Sequence, residues 1–186
     1  MIKLKTAAVI PARYASSRFP AKALAKIMGE SMIVHVYRAV EESNLIDEVY
    51  VATDDQRIKK EVEKAGGRAI MTSKDHQSGT DRIAEAAAEI DAEIIVNVQG
   101  DEPLIEAESI ARALEPFAPE NDLKMSTLKR EITPAEAKSP DVVKVVTDSD
   151  DYALCFSRSP IPYYRDIELE KQKYYQHIGL YVYRRE

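Results

Sequence analysis

The chain has 186 residues, of which 45% are hydrophobic, so it can bury one sizeable core but is short for two independent domains. Its net charge of −6 excludes the basic surface that binding to nucleic acid or to an anionic membrane requires. No apolar run approaches the ~18 residues of a membrane span, and the apolar stretch near the N-terminus is too short for a signal peptide. We therefore expect a single cytoplasmic domain over residues 1–186, with no nucleic-acid partner and no membrane insertion.

The first part of the chain alternates predicted strands with predicted helices. Short apolar, β-branched runs predict strands, and apolar residues at helical spacing predict amphipathic helices. The strands are predicted at residues 6–10, 48–53, 68–72 and 93–98, and the helices after the N-cap Ser31 and at residues 55–65 and 80–90. Such alternation with short loops is typical of a Rossmann-like α/β fold, in which helices cover both faces of a mixed, mainly parallel sheet.

After Phe117 the pattern changes to strands with little helix between them. These strands are predicted at residues 123–130, 142–147, 153–157 and 178–183. We interpret residues 1–120 as one half of the domain and residues 121–186 as a second half, which either extends the first sheet or forms a dimerisation arm. The single cysteine, Cys155, lies in an apolar run, where a buried thiol is expected, and it can form no intrachain disulfide.

Three polar segments follow predicted strands of the first half. They are residues 11–22, 53–55 and 99–103. In doubly wound sheets, ligands bind outside the carboxyl ends of the strands. We therefore expect these segments to contribute to one binding site.

The first of these segments, residues 11–22, is basic. It contains Arg13 and Lys22 but no glycine, which excludes the dinucleotide-binding fingerprint and the Walker P-loop. A guanidinium group can bind two phosphate oxygens at once, and a lysine ammonium acts as a point charge. The segment therefore suits a triphosphate.

The third segment brings an acidic pair, Asp101 and Glu102, to the end of an apolar strand. An aspartate in that position, taken alone, is usually a turn residue. Mg²⁺, however, prefers hard oxygen ligands and is commonly held by one or two carboxylates together with substrate phosphates. Because a basic segment follows another strand of the same predicted sheet, Asp101 is also suited to a metal that bridges the protein and a triphosphate, so a turn residue and a Mg²⁺ ligand both stay open at this point.

Five strings along the chain match, in order and at suitable intervals, the signature segments of one enzyme family. They are IPARYASSRFPAKAL (10–24), VATD (51–54), DHQSGTDR (75–82), VQGDEP (98–103) and HIGLY (177–181). The chain thus resembles the cytidylyltransferases of 3-deoxy-manno-octulosonate (Kdo) and, more loosely, other sugar nucleotidyltransferases. The resemblance implies the nucleotide-diphospho-sugar transferase type of α/β fold.

The resemblance also implies roles for the matched residues. Those implied in catalysis are Arg13, Lys22 and Asp101, with Asp101 also the ligand of Mg²⁺. Those implied in nucleotide binding are Ala12, Arg13, Ser16, Lys22, Gln77, Ser78, Gly79 and Thr80. Those implied in sugar binding are Gln99, Arg158, His177 and Tyr181. The chain departs from the family at Ala21 and Ala23, where glycine and proline are usual, so we expect an altered loop geometry with unchanged charge.

The activity that the resemblance implies is transfer of CMP from CTP to Kdo, with release of pyrophosphate, for lipopolysaccharide biosynthesis by a homodimer. It also implies a further C-terminal segment with a second metal-binding aspartate; relative to that expectation the chain is C-terminally incomplete, either as a partial sequence or as a naturally shortened protein. Two alternatives stay open. One is a cytidylyltransferase for another acidic sugar, such as a sialic acid or an amino-substituted Kdo, and the other is a module that binds CTP or the sugar nucleotide without turnover.

Overall fold

The computed structural model describes residues 4–15, 19–118, 120–168 and 171–185. The chain groups into two compact units, residues 1–126 with 180–186, and residues 127–179. The assignment of residues 1–186 to one domain, divided near residue 120, stays a prediction. In the described residues no helix has the length and apolarity needed to cross a bilayer.

The first unit contains a sheet whose strands run mainly parallel. The first six strands of the chain all belong to this unit. They are β1 (Thr6–Ala12), β2 (Lys26–Ile27), β3 (Glu30–Ser31), β4 (Glu48–Thr53), β5 (Ala69–Met71) and β6 (Ile94–Val98). The order is β5-β4-β1-β6 with parallel pairing, and residues 180–184 of β10 (Tyr174–Arg184) add an antiparallel strand beside β6. Strands β2 and β3 form a separate hairpin. The predicted mixed, mainly parallel sheet is confirmed.

Helices cover both faces of this sheet. They are α1 (Met32–Glu41), α2 (Gln56–Lys64), α3 (Gly79–Ala87) and α4 (Ala107–Leu114), preceded by a short 3₁₀ helix (Lys22–Leu24). Ala7 and Val9 of β1 pack in one cluster with Ile83 of α3. Because successive strand residues point to opposite faces, Ile10 lies on the other face, where it and Ile33 of α1 both approach Gly100. Ser31 precedes α1 as predicted, whereas α4 and the β2–β3 hairpin were not predicted.

The second unit is built mainly from antiparallel strands. Its elements are β7 (Met125–Ile132), α5 (Pro134–Ala137), β8 (Lys144–Thr147), β9 (Ala153–Ser157) and the first residues of β10. Strand β8 pairs with β9 on one side and with β10 on the other, and β7 also pairs with β10. A small core of Ile132, Ala137 and Tyr174 holds α5 against the strands.

The prediction of a buried thiol at Cys155 was wrong. Cys155 is exposed, as are Leu154 and Phe156 beside it in β9. Within the described part of the chain β9 is the last strand of its sheet and pairs with β8 alone. An apolar run can thus form a strand without being covered by another layer of the same chain.

Candidate active site

A cavity of about 520 Å³ lies at the carboxyl ends of β1 and β6 in the first unit. Since β4, β1 and β6 are parallel, their carboxyl ends meet at one edge of the sheet, as ligand sites of this architecture require. The predicted site residues that line the cavity are Ala12, Arg13, Lys22, Gln77, Ser78, Gly79, Gln99 and Asp101. The sheet therefore brings residues from three distant parts of the sequence to one concave surface.

Lys22 and Asp101 meet at the wall of this cavity. The Lys22 Nζ donates a hydrogen bond to Asp101 Oδ2 at 2.7 Å, and the two side chains are 41% and 50% exposed. The turn after β6 approaches β1 closely, because a Cβ added at Gly100 would lie 2.7 Å from the Pro11 carbonyl oxygen. Glycine at position 100 therefore allows Asp101 to lie near the end of β1 and to reach Lys22.

The backbone before Lys22 has an unusual conformation. Ala21 has φ 58° and ψ 24°, in the left-handed region that glycine adopts more easily than alanine. Ala21 is one of the two positions at which the sequence led us to expect an altered loop geometry. In the structure Ala21 adopts a left-handed turn that a glycine would form without strain.

The loop that carries Arg13 is anchored to α2. The Tyr14 carbonyl accepts a hydrogen bond from the Ala21 N–H at 2.9 Å, and the Arg57 guanidinium lies 3.4 Å from the centre of the Tyr14 ring. Arg57 also donates two side-chain hydrogen bonds to the carboxylate of Asp55, the N-cap of α2. These bonds lower the pKa of Asp55 to about 2.

The segment at the start of α3 forms another wall of the cavity. Ser78 is the N-cap of α3 and forms a reciprocal capping box with Asp81. Ser78 therefore both caps the helix and lines the cavity. Glu85 accepts hydrogen bonds from the Ser73 N–H and from His76, and the Ser73 bond is the main reason that the pKa of Glu85 is lowered.

Sequence reasoning missed the role of Arg82, which lines the cavity with a side chain only 4% exposed. Its guanidinium donates to Asp54 Oδ2 at 2.9 Å, to the Ser73 carbonyl at 3.2 Å and to Thr72 Oγ1. These bonds tie the segment before α3 to the end of β4. The spacing from Ser78 to Arg82 was the available signal, because residues four apart on a helix share one face.

Gln99 is held at the cavity by a residue beneath it. The Gln99 Nε2 donates to Asn97 Oδ1 at 2.8 Å, and Asn97 is buried in β6. Tyr181 of β10 pairs directly with Asn97 across the sheet. Burial raises the pKa of the Tyr181 phenol, so its hydroxyl is protonated at neutral pH. Tyr181 is not among the residues that line the cavity.

The other two predicted sugar-binding residues, Arg158 and His177, belong to the second unit. His177 packs edge to face on Phe156 and lies 2.9 Å from Thr127 Oγ1, and burial lowers its pKa. Arg158 donates to the Pro140 carbonyl at 2.6 Å.

A buried lysine supports the segment around Arg158. The Lys144 ammonium donates to the carbonyls of Ser139, Val142 and Arg158, and its side chain is fully buried. Desolvation lowers the pKa of Lys144, and the nearby Arg158 charge lowers it further. Sequence reasoning missed this residue, because a lysine in a strand is ordinarily expected to reach solvent.

Two predicted nucleotide-binding residues are not assigned to the cavity. Thr80 is exposed on α3 and is not among the residues that line the cavity, and Ser16 lies outside the described residues. In the part of the chain that the structure describes, no three or more His, Cys, Asp or Glu side chains form a metal-binding cluster. Asp101, which lines the cavity with the cations Arg13 and Lys22, fits the way proteins commonly hold Mg²⁺, with one carboxylate and phosphate oxygens.

A comparison with protein families identifies the class of this chain. A model of the cytidylyltransferase family matches residues 7–186. The chain therefore belongs to the cytidylyltransferase family, which confirms the resemblance that the sequence motifs indicated.

Individual relatives narrow the class. A 3-deoxy-manno-octulosonate cytidylyltransferase of Geotalea uraniireducens is 53% identical over 193 residues, which cover 98% of this chain and 77% of the relative. The enzyme of the same name from Geobacter sulfurreducens is 54% identical over 189 residues, covering 96% and 76%. A solved structure of CMP:2-keto-3-deoxy-manno-octonic acid synthetase complexed with CTP is 47% identical, with a TM-score of 0.92 over 97% of this chain and 74% of that one.

Proposed function

We propose that the chain transfers CMP from CTP to Kdo, giving CMP-Kdo and pyrophosphate. The observation that carries this proposal is the contact of Lys22 with Asp101 at the cavity wall, 2.7 Å apart, with Arg13 lining the same cavity. A triphosphate needs cations for its oxygens, and a metal-bound triphosphate also needs a carboxylate. The relatives named for this reaction support the choice of CTP and Kdo as substrates.

The reaction is an in-line displacement at the α-phosphorus of CTP. The anomeric hydroxyl oxygen of Kdo forms a bond to that phosphorus, while the bond from phosphorus to the oxygen shared with the β-phosphate breaks. Pyrophosphate leaves with the electron pair of that bond, and the hydroxyl proton passes to solvent. Catalysis of such a transfer depends on positioning and on electrostatic stabilisation more than on a covalent nucleophile.

Arg13 and Lys22 act on the charge that develops on the phosphate oxygens during this displacement. One well-oriented donor of this kind contributes on the order of 3 kcal/mol to transition-state stabilisation. Asp101 would hold Mg²⁺, which when bound would supply a Lewis acid for the phosphoryl oxygens. Until substrate enters, the Lys22 ammonium compensates the Asp101 carboxylate.

The nucleotide and the sugar have different parts of the site. Gln77, Ser78 and Gly79 form the wall at the start of α3 and bind the cytidine, while Arg82 holds that wall in position. Gln99 faces the Kdo from the end of β6. Arg158 binds the carboxylate of the sugar, and His177 and Tyr181 contact the hydroxyl groups of the sugar. These three roles rest on the resemblance of the segments around these residues to the family.

The chain acts as a homodimer in the cytoplasm and supplies activated Kdo for lipopolysaccharide. The dimer proposal is supported by β9, where Leu154 and Phe156 are 66% and 47% exposed, and by Tyr152 directly before it, which is 63% exposed. An exposed apolar strand at the end of a sheet is a typical surface for association. We propose that a second copy of the chain covers this surface of β9. Sedimentation of the parent chain and of Leu154→Asp tests this proposal, and we expect the variant to sediment as a monomer. A parent chain that is itself monomeric overturns the dimer.

The test of the activity is Mg²⁺-dependent release of pyrophosphate from CTP and Kdo. We expect release with CTP but not with ATP or GTP, and with Kdo in preference to a sialic acid. If the chain prefers a sialic acid or an amino-substituted Kdo, that sugar takes the place of Kdo as the proposed acceptor. If the chain binds CTP but releases no pyrophosphate with any acceptor, the proposed transferase activity is overturned in favour of a binding module.

A matched pair of lysine variants locates the activity in the cavity. Lys22→Met is expected to lower kcat/KM by about a hundred- to a thousandfold, because it removes a charge that acts in the transition state. Lys26→Met removes a lysine that is 54% exposed, against 41% for Lys22, and whose ammonium pairs with Glu61 outside the cavity; it should leave kcat/KM within about twofold of the parent. Equal losses in both variants would show that the effect is one of general charge.

A further inference from the structure

Asn97 is a polar residue in the most deeply buried strand of the first unit. Every residue of β6 is buried, and Asn97 is the only polar residue among them, with 1% of its surface exposed. Its Oδ1 accepts the hydrogen bond from Gln99 Nε2 at 2.8 Å. Its Nδ2 has no hydrogen-bond partner among the described residues.

The position of Asn97 in the sheet links it to two residues of the proposed sugar site. Gln99 follows it by two residues, immediately beyond the end of β6, and lines the cavity. Tyr181 is its antiparallel partner in β10, so the two side chains share one face of the sheet. On its other side Asn97 pairs with Val9 of β1 in the apolar core.

We propose that Asn97 is a positioning residue that fixes the carboxamide of Gln99 for recognition of a hydroxyl-rich acceptor. The inference rests on the proposed function, since it assigns Gln99 to the acceptor. One Nε2 hydrogen of Gln99 is used by Asn97 Oδ1, so the amide plane cannot rotate without breaking that bond. The amide oxygen and the second Nε2 hydrogen are then available, in one fixed orientation, to accept from and donate to sugar hydroxyl groups.

The unpartnered Nδ2 argues that Asn97 is not there for stability. A buried donor without an acceptor lowers the stability of the folded state, whereas an apolar residue of similar shape at the same position leaves no donor to satisfy. A purely structural role therefore predicts that Asn97→Leu is destabilising. A positioning role predicts the reverse combination: stability is kept or raised and acceptor binding is lost.

The experiment compares Asn97→Leu with the parent in acceptor kinetics and thermal unfolding. We expect the KM for Kdo to rise about tenfold, the value of one hydrogen bond, with kcat and the KM for CTP within about twofold and Tm equal or higher. An unchanged KM for Kdo overturns the proposal. A fall in Tm together with proportional losses in all kinetic constants also overturns it, because the residue would then be structural.

A second measurement is independent of turnover. The order parameter of the Gln99 side-chain amide, assigned by the loss of its signal in Gln99→Leu, should fall in Asn97→Leu and return to the parental value in Asn97→Asp, which keeps the acceptor oxygen. An order parameter that does not fall in Asn97→Leu overturns the positioning role even if the enzyme is active. If the parent releases no pyrophosphate with Kdo but the order parameter behaves as expected, the positioning role stands and the proposed function fails.

Discussion

Strands β6 and β9 have similarly apolar sequences and opposite environments. All five residues of β6 are buried, between β1 on one side and β10 on the other. Four residues of β9 are exposed and the fifth is half-buried. Strand β6 is part of a core that the chain itself forms, whereas β9 leaves apolar side chains exposed on the surface.

This difference shows which parts of the molecule are held in position by contacts within the chain itself. Asp101 and Gln99 follow directly after β6, so the carboxylate and the amide of the site are positioned by a strand that the chain itself buries. Strand β9 has no such cover among the described residues. Substitutions near β6 should therefore change activity or monomer stability, and substitutions in β9 should change association.

The largest expected effect is the loss of turnover in Asp101→Asn. The substitution keeps the shape of the side chain and removes the charge that faces Lys22 and that we propose as the Mg²⁺ ligand, so kcat should fall at least about a thousandfold, on the order of 4 kcal/mol. Asp91→Asn, at a fully exposed carboxylate paired with Lys5, is the matched control and should retain parental kcat. Pyrophosphate release measures both. Near-parental turnover in Asp101→Asn would remove this residue from the mechanism.

The next effect compares the two strands directly. Ile94→Ala in β6 removes a side chain that is 1% exposed and should lower the free energy of unfolding by about 3 kcal/mol. Leu154→Ala in β9 removes one that is 66% exposed and should change it by less than about 0.5 kcal/mol. Urea denaturation at a dilution that dissociates dimers gives both values. A loss of similar size at Leu154 would mean that β9 is covered within the chain, contrary to the structure.

Much of the site was predictable because parallel strands impose a rule. The segments that follow β1 and β6 could be assigned to one edge of the sheet from the strand pattern alone, and the structure brings Lys22 within 2.7 Å of Asp101 there. The N-cap at Ser31 was predictable for a similar reason, since its signal is local in sequence.

Other features were not predictable because they depend on what packs where. The burial of Arg82 requires Asp54 and Thr72 to lie beside it, which follows only from the packing of α3 against the sheet. The exposure of Cys155 requires knowing that β9 ends its sheet. The left-handed backbone of Ala21 could not be derived from an alanine, which ordinarily avoids it.

A smaller effect tests whether the cavity loop is held by the chain's own charges. The Arg57 ion pair lowers the pKa of Asp55 from 3.8 to about 2, so the pair stabilises the folded state fully above about pH 4. This contribution is lost as the pH falls through the folded-state pKa. The free energy of unfolding of the parent should therefore exceed that of Asp55→Asn at pH 5, and the difference should shrink towards pH 2.

Asparagine is the suitable replacement in this comparison because it caps a helix as well as aspartate does, so only the ion pair is removed. Measurement of unfolding at intervals between pH 5 and pH 2 gives the difference. If the difference does not change with pH, the Asp55 carboxylate contributes through capping alone, and the stacking of Arg57 on Tyr14 does not depend on it.

The smallest effect concerns the loop that presents Lys22. The left-handed backbone of Ala21 costs about 1–2 kcal/mol. A glycine would avoid that strain, but the greater conformational entropy of its unfolded chain would lower the stability by about 0.5–1 kcal/mol. Ala21→Gly should therefore raise the free energy of unfolding by about 0.5–1 kcal/mol. Ala25→Gly is the matched control, because Ala25 has φ −60° and gains nothing from glycine, so it should lower that free energy by a similar amount.

Changes of opposite sign in the free energy of unfolding for these two substitutions would show that the backbone of Ala21 is strained. We would then infer that the loop keeps this strain because it directs Lys22 towards Asp101. Equal losses would mean that the loop relaxes to another conformation in solution. In that case the cavity wall would resemble β9 in one respect, since its final shape would depend on a group that binds to it.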